Sequence, residues 1–179
     1  MELKSLLVET MLELQSALRE ELRLQGHELT GKLSDSIVFE VSATGNELVG
    51  QMYFEDYGVY VNVGVLAQNI PFGRGGKGRK GGTSQYIQGL IEFWEHRGLS
   101  GRDAIGAAFA TAHIHAREGM PSRGSYQYTQ TGERLGFVQD AVERRIADIE
   151  NTIMEKFGAS LTFEINRAVS SLENVFAAP

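Results

Sequence analysis

Gly73 to Gly82 reads GRGGKGRKGG, with six glycines, four cations and no acid in ten positions. Gly73, Gly75 and Gly78 satisfy the GxGxxG spacing that lets a backbone approach a dinucleotide pyrophosphate. So dense a glycine run makes that match nearly unavoidable, and its context is wrong for the chemistry. The next helix begins only near Ser84, no compact βαβ unit is evident, and no Gly-Lys-Ser/Thr triplet marks a P-loop. The run reads instead as a solvated loop, or as one that orders on a partner or a polyanion.

The other reactive side chains form no constellation. His113 and His115 lie two apart, which on a helix sends them to nearly opposite faces, and His27 and His96 stand alone. No HExxH or comparable spacing offers a metal site. Carboxylates mostly sit among basic partners, as in Glu143-Arg144-Arg145, the pattern of a solvated helix face. No GxSxG elbow or SxxK motif occurs, and Ser122 and Ser125 have no base in view. The expectation is therefore no enzyme, no cofactor and no metal. Aromatic residues gather around the loops: Tyr53, Phe54, Tyr57, Tyr60 and Phe72, then Tyr126 and Tyr128 beside Arg123. Such residues stack bases or build protein interfaces, and the charge balance favours the second.

That balance is -6 over 179 residues, with 17 basic and 23 acidic side chains. Setting aside the ten residues from Gly73 to Gly82, which carry Arg74, Lys77, Arg79 and Lys80, leaves the other 169 residues at -10. An acidic body does not coat phosphates with its general surface, so any nucleic-acid contact falls to the loop. Zero cysteines exclude a disulfide scaffold and a thiolate site. No apolar run has the length of a membrane span, and Met1-Glu2-Leu3-Lys4 has no signal-peptide character. An intracellular or assembled-particle setting is expected.

The elements that must hold these residues are legible from periodicity. Leu3, Leu7, Met11, Leu14, Leu18 and Leu22 make one stripe on a helix over 3–24, stopped at Gly26. Ile37, Phe39 and Val41 alternate with polar or outward positions, and 48–54 follows after Thr44-Gly45-Asn46, so an antiparallel hairpin is expected. Residues 57–66 read as a third strand or a turn-rich segment, and 67–83 as a long mobile loop. Ser84 caps a helix running to Arg97, with Gly98 as its stop. A second spans 100–117 with Ile105, Ala108, Phe109, Ala112 and Ala116 on one face. After a loop at 118–132, a stripe from Val142 to Val175 predicts a long terminal helix with a kink or break at Gly158. A stripe that long exceeds what a compact domain needs, so part of it is expected to pack on a neighbouring subunit. The fold class is α+β, one domain over 1–157 and a helical arm over 158–179.

Two short strings carry a further signal. Thr30-Gly31-Lys32-Leu33-Ser34-Asp35-Ser36-Ile37 follows the first helix and opens the hairpin. Tyr57-Gly58-Val59-Tyr60-Val61-Asn62-Val63-Gly64 follows the hairpin. In this order they resemble the tail-completion, or head–tail joining, proteins of long-tailed bacteriophages, the minor tail protein Z type. Thr30, Gly31, Leu33, Ser36 and Ile37 match the family's first motif; Tyr57, Tyr60, Val61 and Gly64 match its second. Asn62-Val63 stands in place of the family's acidic-aromatic pair. On the residues alone, Thr30-Gly31 turns the chain so that Leu33 and Ile37 enter the core, while Tyr57 and Tyr60 cover the hairpin.

The resemblance implies a non-enzymatic virion protein that forms a homo-oligomeric ring at the phage neck, assembled in the bacterial host cytoplasm. Its partners would be copies of itself, connector proteins, and tail-tube or tail-terminator proteins, around a channel with transient DNA contact. Arg74, Lys77, Arg79, Lys80, Arg123, Tyr126 and Tyr128 are then the residues expected to reach a partner or line the channel. The alternative is a nucleic-acid-binding accessory protein that acts through the basic loop.

Overall fold

The computed structural model describes residues 3–45, 47–73 and 84–176. Its elements follow in the order α1 (Leu3–Leu24), α2 (Lys32–Ser36), β1 (Val38–Thr44), β2 (Glu47–Tyr53), α3 (Tyr57–Val63), α4 (Gln85–His96), α5 (Gly101–Glu118) and α6 (Phe137–Phe176). Single 3-10 turns stand at Ala67–Asn69 and Arg123–Tyr128. The architecture is α+β, with one two-stranded antiparallel sheet and a long final helix.

The apolar stripe of α1 buries Leu6, Met11, Ala17, Leu18 and Leu22, while Leu3 stays exposed. The helix ends in a Schellman motif: the His27 N–H reaches the Leu22 carbonyl at 2.8 Å and the Gly26 N–H the Arg23 carbonyl at 3.1 Å. That motif requires a left-handed residue, and Gly26 supplies it at φ 68°. The polar side of α1 is also used. Arg19 donates from Nε to the Ser34 carbonyl and from Nη2 to the Ile37 carbonyl, at 3.0 and 3.1 Å, and Gln15 joins it at Ile37. These bonds help satisfy the carbonyls at the end of α2, where the Ile37 N–H alone reaches back to Ser34.

Ser36 finishes α2 and also ties it onward, since its Oγ donates to the Leu33 carbonyl and accepts from the Glu55 N–H. The chain then alternates through the hairpin, pairing Phe39 with Met52 and Val41 with Gly50. These four half-buried positions form the inward face, and Met11 of α1 lies over Gly50. The core gathers Ala17, Leu18, Leu22, Leu33, Ile37, Phe137 and Ala141, with Met52, Phe54, Val61 and Val138 packed around it. Leu33 and Ile37 are thus buried, as the turn at Thr30-Gly31 predicts.

Four expectations are corrected. Residues 57–63 form a helix, α3, not a strand. Gly64 at φ 78° stops it, and its buried Gly58 lets it pass so close to Phe54 and Leu33 that an added Cβ would collide with both. The start of the expected loop is ordered: Ile70 is buried, and Phe72 packs edge-on against His113 with centroids 4.8 Å apart. The remainder, 74–83, lies outside the described residues, as do Ala177 to Pro179. On α5 the buried face is Ala104, Ala108 and Ala112, while Ile105 and Phe109 are 44% and 43% exposed. Small residues four apart let α4 pack closely there, and the larger side chains fall to the flank. Finally, α6 runs through Gly158 without a break. A glycine costs only about 1 kcal/mol relative to alanine, which the surrounding turns absorb.

Asn62 caps α6 from another element. Its Oδ1 accepts from the Val138 N–H at 3.0 Å and its carbonyl accepts from the Gly136 N–H at 2.8 Å. Replacing Asn62 by alanine should cost about 1 kcal/mol, the usual worth of a helix cap. Phe137→Ala, a fully buried ring in edge contact with Phe54, should cost about 3–5 kcal/mol. Urea unfolding of the two variants beside the parent checks both values and their order.

Candidate functional site

Between α3, α4, α5 and the 118–128 segment lies a cavity of about 600 Å³. One close junction shapes it. Val65 and Met120 form an isolated antiparallel bridge, each N–H on the other's carbonyl at 2.7 and 2.8 Å. Gly64 makes room for it, since a Cβ there would stand 2.6 Å from the Met120 carbonyl oxygen. The bridge pins the end of α3 to the end of α5 and leaves the helices apart beyond it. The α4–α5 hairpin closes the far wall, where Trp94 Nε1 donates to Thr111 Oγ1 at 3.0 Å and Tyr86 to His115 Nδ1 at 2.8 Å. Burial lowers His115 below the ordinary imidazole range and lifts Tyr86 to about 12.

Most of the lining is apolar or aromatic: Tyr57, Tyr60, Phe93, Trp94, Ile114 and Met120 are representative. Its charge is cationic, from Arg97 and Arg134. Arg97 lies over the Phe93 ring at 4.6 Å. Arg134 faces His27 twice: its carbonyl meets His27 Nε2 at 3.1 Å and its Nη2 meets His27 Nδ1 at 3.4 Å. Desolvation, then the Arg134 charge, lowers His27 to about 4, so the ring is neutral near pH 7. A neutral ring with its proton on Nε2 satisfies both contacts at once. Burial, and next the charge of Arg97, lowers the Arg134 guanidinium below the usual arginine range. Among the described residues neither arginine has a carboxylate partner, and the buried Arg134 Nε–H has no acceptor.

Glu21, Glu133 and Asp140 form a separate acidic group, their oxygens within 4.8 Å. Gln25 donates to Glu21 and Asp140 at 3.0 and 2.9 Å, and Arg144 Nε stands 3.4 Å from Glu21. An arginine and an amide already serve Glu21, and the same amide serves Asp140.

No family model, curated protein or solved structure matches this chain. Its own residues carry the reading.

The residues expected to meet a partner and those of the two motif strings are scattered. Tyr57, Tyr60, Val61 and Tyr128 line the cavity, so the two tyrosines of α3 face it and solvent and do not cover the hairpin. Arg123 is exposed, and its backbone N–H donates to Glu118 at 3.1 Å. Tyr126 is half-buried and outside the cavity wall. Thr30 is exposed beside Gly31, which takes φ 72°. Arg74, Lys77, Arg79 and Lys80 lie outside the described residues. His113 and His115 diverge as their spacing predicts, one against Phe72 and the other into the cavity. Ser125 Oγ donates to the Ser122 carbonyl at 2.6 Å, which is a turn contact. The sequence gives no local sign of the His27–Arg134 pair, whose members are 107 positions apart.

Protonated His27 is disfavoured in the fold, because its pKa there is below the 6.5 of an unfolded chain. Its contribution to stability is therefore complete above pH 6.5 and falls as the pH drops toward about 4. After discounting for its solvent-facing part, the loss is on the order of 2 kcal/mol. Urea midpoints measured between neutral and mildly acid pH should fall less steeply for His27→Gln than for the parent.

Proposed function

We propose that this chain is a structural virion subunit of a long-tailed bacteriophage, one that closes into a ring at the head–tail junction and leaves a channel for DNA. The observation that carries the reading is a mismatch of length. At 1.5 Å per residue the 40 residues of α6 span about 60 Å, and the 22 residues of α1 span about 33 Å. Contacts of Arg145 with Glu20 and of Lys156 with Glu9 align the two helices antiparallel. In that register the first residue of α1, Leu3, lies opposite about residue 162, and α6 continues to Phe176. Along the paired part, Met154 is 73% exposed and Phe157 48% exposed. A helix flank turned only to water has no use for such residues, and a neighbouring copy covers them.

The two motif strings support the same reading. Gly31, Leu33 and Ile37 make the turn into the core, and Tyr60 and Gly64 stand at the α3 end near the Met120 bridge. An acidic body suits a channel through which DNA slides without adhering. Connector and tail proteins would then be the neighbours above and below the ring. Among the described residues no helix is long and apolar enough to cross a membrane.

Native mass spectrometry at micromolar concentration should show one closed oligomer. The double variant Met154→Asp, Phe157→Asp should release monomers with unchanged helical circular dichroism. A protein that is monomeric at every concentration and does not join purified heads to tails would overturn the proposal.

A further inference from the structure

We propose that the cavity between α3, α4, α5 and the 118–128 segment binds a small monoanionic amphiphile, an aromatic or aliphatic body that bears one carboxylate. Its volume of about 600 Å³ falls in the range of small-molecule sites. Its walls dictate the body of the ligand: Phe93, Trp94, Ile114 and Tyr57 offer rings and branched carbons, and burying an apolar group against them is favourable in proportion to area. Its charge dictates the head. Arg97 and Arg134 both line the space, and no carboxylate is among the cavity's lining residues. Two guanidiniums lining one cavity repel each other, and each presents a planar fork that matches a carboxylate.

The contacts of Arg134 sharpen the choice. Around it stand the neutral His27 imidazole, the Tyr126 phenol and the Arg97 cation, and its Nε–H lacks an acceptor. One negative charge placed between Arg97 and Arg134 relieves that repulsion. A cation is excluded by the same two side chains, and a neutral ligand leaves them uncompensated. The inference is independent of ring assembly, because the cavity is built within one chain.

Trp94 is the single tryptophan and lies in the cavity wall, so its fluorescence reports occupancy directly. Phenylbutyrate, phenylbutanol and phenylbutylamine share a body and differ in head-group charge. Titration should give a saturable change with phenylbutyrate, weaker binding of the alcohol, and none of the amine. Arg134→Gln should weaken the acid about tenfold or more and leave the alcohol unaffected. Arg97 is exposed, so Arg97→Gln leaves the fold intact and should also weaken the acid selectively. If Arg134→Gln fails to fold, the Arg97 variant decides. The proposal is overturned if the acid gives no saturable change, if acid and alcohol bind equally, or if Arg97→Gln leaves acid affinity unchanged.

Discussion

A single buried carboxylate fixes the arrangement of the two longest helices. Glu21 of α1 is almost wholly enclosed, and a buried charge without partners is strongly unfavourable. Its two oxygens are met by Gln25 Nε2 and Arg144 Nε, and Gln25 also reaches Asp140 and the Leu135 carbonyl. Arg144 and Asp140 belong to α6, so only one placement of α6 along α1 satisfies the group. That placement seats Phe137 and Ala141 in the core beside Leu22 and puts Val138 under the Asn62 cap. Apolar burial supplies the drive to pack, and the polar network selects the register.

Once the register is set, the rest of the molecule is constrained by it. The first half of α6 is held by α1 through Glu20 and Glu9, while its distal turns pass beyond the start of that helix. The other end of the body is organised by the Val65–Met120 bridge, which joins α3 to the end of α5 and separates the surfaces that enclose the cavity. The chain therefore presents two different unsatisfied surfaces. One is an apolar helix flank, suited to another protein chain. The other is a concave cationic recess, suited to a small anion. They are distant in sequence and differ in chemistry.

Helices and the hairpin were legible because their periods are local. The stripe of α1, the alternation of Phe39 and Val41, the Ser84 cap and the Gly26 and Gly98 stops all depend on neighbours within a few positions. Residues 57–63 misled because β-branched residues and tyrosine favour strands, whereas packing of Gly58 on Phe54 decides for a helix. The buried face of α5 misled because Ile105 and Phe109 outrank alanine in hydrophobicity, yet only small residues fit close to α4. The cavity left no trace in the sequence. Its walls come from His27 to Arg134, and no short spacing joins Trp94, Arg97 and Arg134. The polar use of Arg19 and Glu21 is equally hidden, since neither lies on the leucine stripe of α1.

The central claim is that the distal half of α6 is completed by another copy of the chain. Amide hydrogen exchange, followed by mass spectrometry at a series of protein concentrations, tests it most directly. Amides over 138–157 should be slow to exchange at every concentration, because α1 covers that stretch. Amides over 163–176 should exchange quickly in dilute solution and become protected as concentration rises. Protection of 163–176 that stays the same at all concentrations would contradict the claim.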